Sequence, residues 1–174
     1  MAKNLLDATY MLERIADFKQ PLKVFEIRVP EVWTDFNGHM NEARYLDCFS
    51  NASDGIMQLI GCDAAYISAG KSFFTVETHI CHVAEAHAGA MVYVTTQILP
   101  ASGKKLHLFH LLMREMPDGQ NPQVLASGEQ MLLHVDLGSR KTCMPKGEMA
   151  ENMARLVTGH QSLPRPGAAG KSIG

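Results

Sequence analysis

Residues 30–60 read PEVWTDFNGHMNEARYLDCFSNASDGIMQLI, and the change of character at Asn41 decides the architecture. Pro30 to Asn41 sets Asp, Asn and Gly where turns need them and holds no sustained period. From Glu42 to Ile60 the apolar residues Tyr45, Phe49, Ala52, Ile56, Leu59 and Ile60 recur at spacings of three and four, while Glu42, Asp47 and Asp54 fall elsewhere. The spacing predicts an amphipathic helix of about five turns. Asn41 suits its N-cap, because an Asn side chain accepts from the free amides of the first turn, and Gly61 suits its end. Gly55 weakens it slightly.

Upstream, residues 4–18 carry Leu5, Leu6, Met11, Leu12, Ile15 and Phe18 at helical spacing, closed by Pro21, which predicts a short packing helix. Lys23 to Val29 alternates Val24, Glu26 and Arg28 with Phe25, Ile27 and Val29, the period of a strand. Downstream, Ser72 to Val83, Ala90 to Leu99, Lys104 to Met116 and Gln123 to Asp136 are four strand-like runs. The separators Pro100–Gly103 and Pro117–Pro122 read as hairpin connections, so the last three strands form an antiparallel meander. Met149, Met153, Leu156 and Val157 suggest a terminal helix after Pro145, and the Pro/Gly-rich tail from Leu163 reads as weakly ordered in isolation.

This order lacks the βαβ alternation of a parallel sheet, so the fold class is α+β: one long central helix covered by an antiparallel sheet of about five strands, with extra N- and C-terminal helices. The expected divisions are an N-terminal helix over 1–22, the main domain over 23–144, and a C-terminal helix and tail over 145–174. A lone helix on one sheet face leaves an edge or a face to cover, and pairing copies solves this, so a homodimer or homotetramer is expected.

The chain has 174 residues, 46% of them apolar, with 16 Lys and Arg against 18 Asp and Glu. That composition fits one globular domain, and a net charge of −2 argues against a bulk nucleic-acid binder. Cys48, Cys62, Cys81 and Cys143 form no CxxC pair, and Asp7, Glu13 and Asp17 interrupt the N-terminus where a signal peptide would be apolar, so reduced thiols in a cytoplasm are expected. No stretch approaches the roughly 20 apolar residues that a bilayer span needs, and no membrane association is expected.

Strand, turn-rich loop, long helix and curling sheet resemble the hotdog fold, and VWTDFNGHMNEARYL is similar to the opening motif of the 4-hydroxybenzoyl-CoA thioesterase family. The matching positions are Asp35, Gly38, His39, Asn41 and Tyr45. A closer likeness runs through YISAGKSFFTVETHICH (Tyr66 to His82), KKLHLFH (Lys104 to His110), GEQMLLHVD (Gly128 to Asp136) and LPRPGAAG (Leu163 to Gly170). These resemble the thioesterase domain fused to some L-carnitine dehydrogenases and its stand-alone relatives. The resemblance implies hydrolysis of betainyl-CoA to glycine betaine and free CoA, as part of carnitine breakdown, without a metal or redox cofactor; CoA itself is part of the substrate.

Thioester hydrolysis needs a nucleophile or general base beside the carbonyl carbon and donors where its oxygen gains charge. The resemblance makes Asp35 the catalytic carboxylate, attacking to give a mixed anhydride or activating a water; an Asp in a loop also serves as a turn-former bonded to nearby backbone. Free amides at the Glu42 helix start suit an oxyanion hole. His39 orients Asp35, polarises the carbonyl or moves a proton, or else is a loop histidine held by backbone. Asn41 is first a helix cap and second a substrate contact, and Asn37 suits a left-handed turn as well as a substrate contact.

Glu77 and His79 sit two apart, so both leave one sheet face, shared by Thr75 and Cys81; they either assist proton transfer or form an exposed or structural pair. His79, Cys81, His82 and His87 do not make a zinc site, because His82 faces away and the spacing is wrong, so no metal is assigned. A quaternary ammonium donates no hydrogen bond and is selected by aromatic faces, carboxylates and shape. Trp33, Phe36, Tyr45, Tyr66, Phe73 and Phe74 are the candidates, Trp33 and Phe74 first, with core packing as the other use of several. Lys71, Lys104, Lys105, Arg140 and Lys141 are candidates for the CoA phosphates, or are solvated turn residues. Competing functions are a hotdog thioesterase for another acyl group, a hotdog hydratase, and a non-catalytic acyl-CoA binding module.

Overall fold

Alternating burial along the predicted strands builds an antiparallel sheet in the computed structural model, which describes residues 3–4 and 20–173. Strand β1 is Lys3–Asn4 and β2 is Leu22–Arg28. After the long helix α1 (Glu42–Leu59) and a short helix α2 (Ala64–Ser68) come β3 (Lys71–His82), β4 (Met91–Leu99), β5 (Lys105–Arg114), β6 (Gln123–Asp136), β7 (Lys141–Thr142) and helix α3 (Gly147–His160). The described strands run in the order β1-β2-β4-β5-β6-β3, with β7 on β6. Of the helix expected over residues 4–18, positions 5–18 lie outside the described residues, and Asn4 is in β1.

The central helix begins where expected. Asn41 caps it by accepting from the Ala43 amide at 3.0 Å. Its Phe49, Ala52, Ile56 and Leu59 are fully buried against Val92, Val94, Leu108, Leu112 and Leu132 of the inner sheet face. Burying each Leu, Ile or Phe contributes about 1.5–3 kcal/mol, so this interface carries much of the fold. Gly128 lets helix and sheet approach, because a Cβ there would stand 2.6 Å from Phe49 Cδ2. One long helix wrapped by a curled antiparallel sheet is the expected hotdog arrangement.

Bulges account for the departures from simple alternation. In β2 the register shifts between Lys23 and Phe25, which lets adjacent Val24 and Phe25 both be buried. In β3 it shifts between Thr75 and Glu77. Thr75 therefore pairs with inward Leu132 while Glu77 pairs with Met131 on the outer face, so Thr75 does not share a face with Glu77 and His79 as strict alternation required.

Helix α2 was not foreseen; Asp63 caps it by accepting from the Tyr66 amide at 2.9 Å. The tail also departs from expectation. It crosses the outer sheet face, where Gln97 Nε2 donates to the Pro164 carbonyl at 3.2 Å and the Gly170 amide donates to Glu129 Oε2 at 2.6 Å. Pro and Gly deny it regular structure, but not side-chain partners. No described helix is long and apolar enough to cross a membrane.

Candidate active site

The loop between β2 and α1 is shaped by its own turn chemistry. Asp35 N–H donates to the His39 carbonyl at 2.9 Å and Gly38 N–H to the Asp35 carbonyl at 3.0 Å. Gly38 takes the left-handed conformation at φ +77°, so the expectation of that conformation at Asn37 is not met: glycine, lacking a Cβ, takes it instead. The loop is then clipped to residues 84–90, with Met40 N–H donating to the Ala86 carbonyl at 2.7 Å and a bridge between His39 and His87.

Asp35 Oδ1 accepts the amides of Asn37 at 2.8 Å and His39 at 3.3 Å. Its Oδ2 has no partner among the described residues. The carboxylate is thus tethered by one oxygen and open at the other, on a groove of about 400 Å³ that Glu42, Tyr45, His82 and Glu85 also line. At the helix start the Ala43 amide is held by Asn41 Oδ1 and the Arg44 amide donates to the Asn41 carbonyl at 2.9 Å. The Glu42 amide has no acceptor among the described residues. One amide at the positive helix end, rather than the several expected, is left for a developing oxyanion, because the cap side chain consumes its neighbour.

The imidazole of His39 does not orient Asp35. It faces Glu85, with Nε2 3.3 Å from Oε2, and lies 4.8 Å from the His87 ring; only its backbone amide reaches Asp35. Tyr45 is buried, its hydroxyl donates to the Ala84 carbonyl at 3.2 Å, and burial pushes its phenol above the ordinary range. It ties the helix start to the far groove wall. His82 packs edge-on against it at 4.7 Å.

The constellation is a half-tethered carboxylate, a free helix-start amide and an open groove, which suits nucleophilic or general-base attack on a carbonyl. Residues 29–153 match the family model of the thioesterase-like superfamily. The chain belongs to that superfamily. A Ruegeria pomeroyi protein named L-carnitine dehydrogenase/betainyl-CoA thioesterase is 49% identical over 91% of this thioesterase-like chain, which spans 31% of that relative's length. A Pseudomonas aeruginosa betainyl-CoA thioesterase is 40% identical over 89% of the chain and 96% of its own. The chain also shares the fold of the Staphylococcus aureus protein SAV2348, solved in complex with CoA, with a TM-score of 0.80 at 23% identity over 90% of this chain and 96% of that one.

Within one thioesterase-like chain the remaining candidates stand apart from Asp35. Phe36 is 97% exposed at the loop tip and does not line the groove. Trp33 already carries the Arg44 guanidinium 5.6 Å from its ring centroid. Glu77 and His79 do share a face, but they line a separate cavity of about 300 Å³ on the outer sheet surface with His107 and Glu129, under Gly170 and Lys171. Phe74 is eight residues from His82 along β3, roughly 26 Å at the strand rise, so this chain's own Phe74 does not reach its Asp35 groove.

Lys105 pairs with Leu133 and Phe74 with the same Leu133, so the basic residues lie at that far end too. Lys104 Nζ donates to Thr142 Oγ1 at 2.5 Å, and Arg140 holds a left-handed turn at φ +56°. Tyr66 and Phe73 are likewise engaged elsewhere, both against the buried His134.

Sequence reasoning missed Glu85, which falls in a loop with no recognisable spacing to Asp35. It also missed the His107–Glu129 pair, 2.7 Å apart, whose partners stand 22 positions from one another on neighbouring strands.

Proposed function

We propose that this chain hydrolyses betainyl-CoA to glycine betaine and free CoA, as a cytoplasmic enzyme of carnitine breakdown. The observation that carries hydrolysis is Asp35, fixed by two amides through Oδ1 and free at Oδ2 beside an open groove. In this reading Asp35 attacks the thioester carbon or takes the proton of an attacking water; along either route the carbonyl oxygen gains charge near the Glu42 amide, the C–S bond breaks, and water supplies the oxygen of the product carboxylate. The reaction as read needs no cofactor. The relatives' names support the substrate, as does a groove with carboxylates at Asp35, Glu42 and Glu85, which favours a cationic acyl group.

A homodimer completes this reading. Strand β3 is a sheet edge of 12 residues with Phe74 and Val76 exposed. Two copies paired antiparallel through β3 about a two-fold axis bring the Lys71 end of one against the His82 end of the other. The pairing carries Phe74, Lys104, Lys105 and Arg140 of a second copy toward the Asp35 groove, where basic residues meet the CoA phosphates.

Thiol release from a panel of acyl-CoA thioesters tests the proposal. The highest kcat/KM is expected for betainyl-CoA; a preference for uncharged acyl groups refutes the substrate.

A further inference from the structure

In betainyl-CoA the quaternary nitrogen is bonded to the carbon next to the carbonyl, so it lies about 2.5 Å from the carbon under attack. A carboxylate that recognises it must therefore share the groove with Asp35. Asp35, Glu42 and Glu85 are the carboxylates lining that groove within one chain, and no Lys or Arg among that chain's described residues lines it. Asp35 is committed to the chemistry and to the Asn37 and His39 amides. Glu42 is the first residue of α1, where the positive helix end balances its charge.

Glu85 differs from both. It stands on the loop after β3, its side chain is 67% exposed, and the His39 imidazole lies beside it, with Nε2 3.3 Å from Oε2. That contact places the carboxylate at the groove, where it has no Lys or Arg partner among the described residues. We infer that Glu85 receives the quaternary ammonium of the acyl group and sets the preference for cationic over neutral acyl chains. This rests on the betainyl reading above and adds the residue that enforces it. The ammonium donates no hydrogen bond, so the interaction is coulombic, acts without strict geometry, and tolerates an exposed carboxylate.

The test compares kcat/KM for betainyl-CoA with that for its neutral isostere, tert-butylacetyl-CoA, in which carbon replaces the nitrogen. The native protein should prefer betainyl-CoA. Glu85→Gln should reduce the betainyl-to-neutral ratio about tenfold while leaving kcat/KM for the neutral ester within twofold of native, and Glu85→Asp should keep most of the preference. If the native protein prefers betainyl-CoA and Glu85→Gln leaves the ratio unchanged, or lowers both substrates equally, the role of Glu85 is overturned and the betainyl reading stands. A native protein with no preference for the cationic ester overturns both.

Discussion

Ser53 Oγ lies 3.1 Å from His110 Nε2 in the fully buried seam between α1 and β5. Ser53 spends its one hydrogen on Gln130 Oε1 at 2.5 Å, so it accepts from His110 Nε2–H. His110 Nδ1 then accepts from the Thr96 hydroxyl at 2.8 Å. One neutral tautomer thereby binds the central helix to three strands.

Burial pushes His110 down to about 3. The unfolded chain takes up a proton near pH 6.5, whereas the folded chain resists protonation to about pH 3. The contribution of this neutral histidine is full above pH 6.5 and is lost as pH falls through that window. Denaturant unfolding should show about 3 kcal/mol of lost stability from this group by pH 4, and His110→Gln should flatten that slope.

Gly128→Ala should destabilise the fold by about 1–3 kcal/mol, because the new Cβ meets a Phe49 ring that is fully buried and stacked 5.5 Å from His110, with no room to retreat. Urea unfolding checks this; an unchanged midpoint would show that the helix rides higher over β6 than described.

The tail is fastened through Glu129, whose Oε1 meets His107 Nε2 at 2.7 Å and whose Oε2 accepts the Gly170 amide at 2.6 Å. Glu129→Ala should remove about 1.5–3 kcal/mol of charge-assisted bonding and raise hydrogen exchange at Gly170 more than tenfold. Trypsin should then cleave faster after Lys171, which is followed by Ser172. Unaltered exchange at Gly170 would mean that the tail is held elsewhere.

What could be read in the sequence was what local chemistry dictates. The period of Tyr45, Phe49, Ala52 and Ile56 marked α1, and Asn41 marked its cap. Alternation marked β3 to β6, but not the extra residue at Val76, since a bulge arises from pairing between strands and leaves no local signature. The turn-rich loop singled out Asp35. Its separation from Phe74 and Lys105 was hidden, because a 12-residue strand carries them to opposite ends of the sheet. The tail composition announced irregular backbone and was silent about Glu129, the partner that holds it.

Asp35→Asn tests the central claim most directly. Asparagine keeps an oxygen to accept the Asn37 and His39 amides, so the loop holds its shape, but the negative charge is gone. Thiol release from betainyl-CoA should fall about 10²- to 10⁴-fold, with the melting temperature and substrate affinity near native. Native-like turnover in this variant would contradict the account, because the open carboxylate oxygen at the groove would then have no part in the hydrolysis.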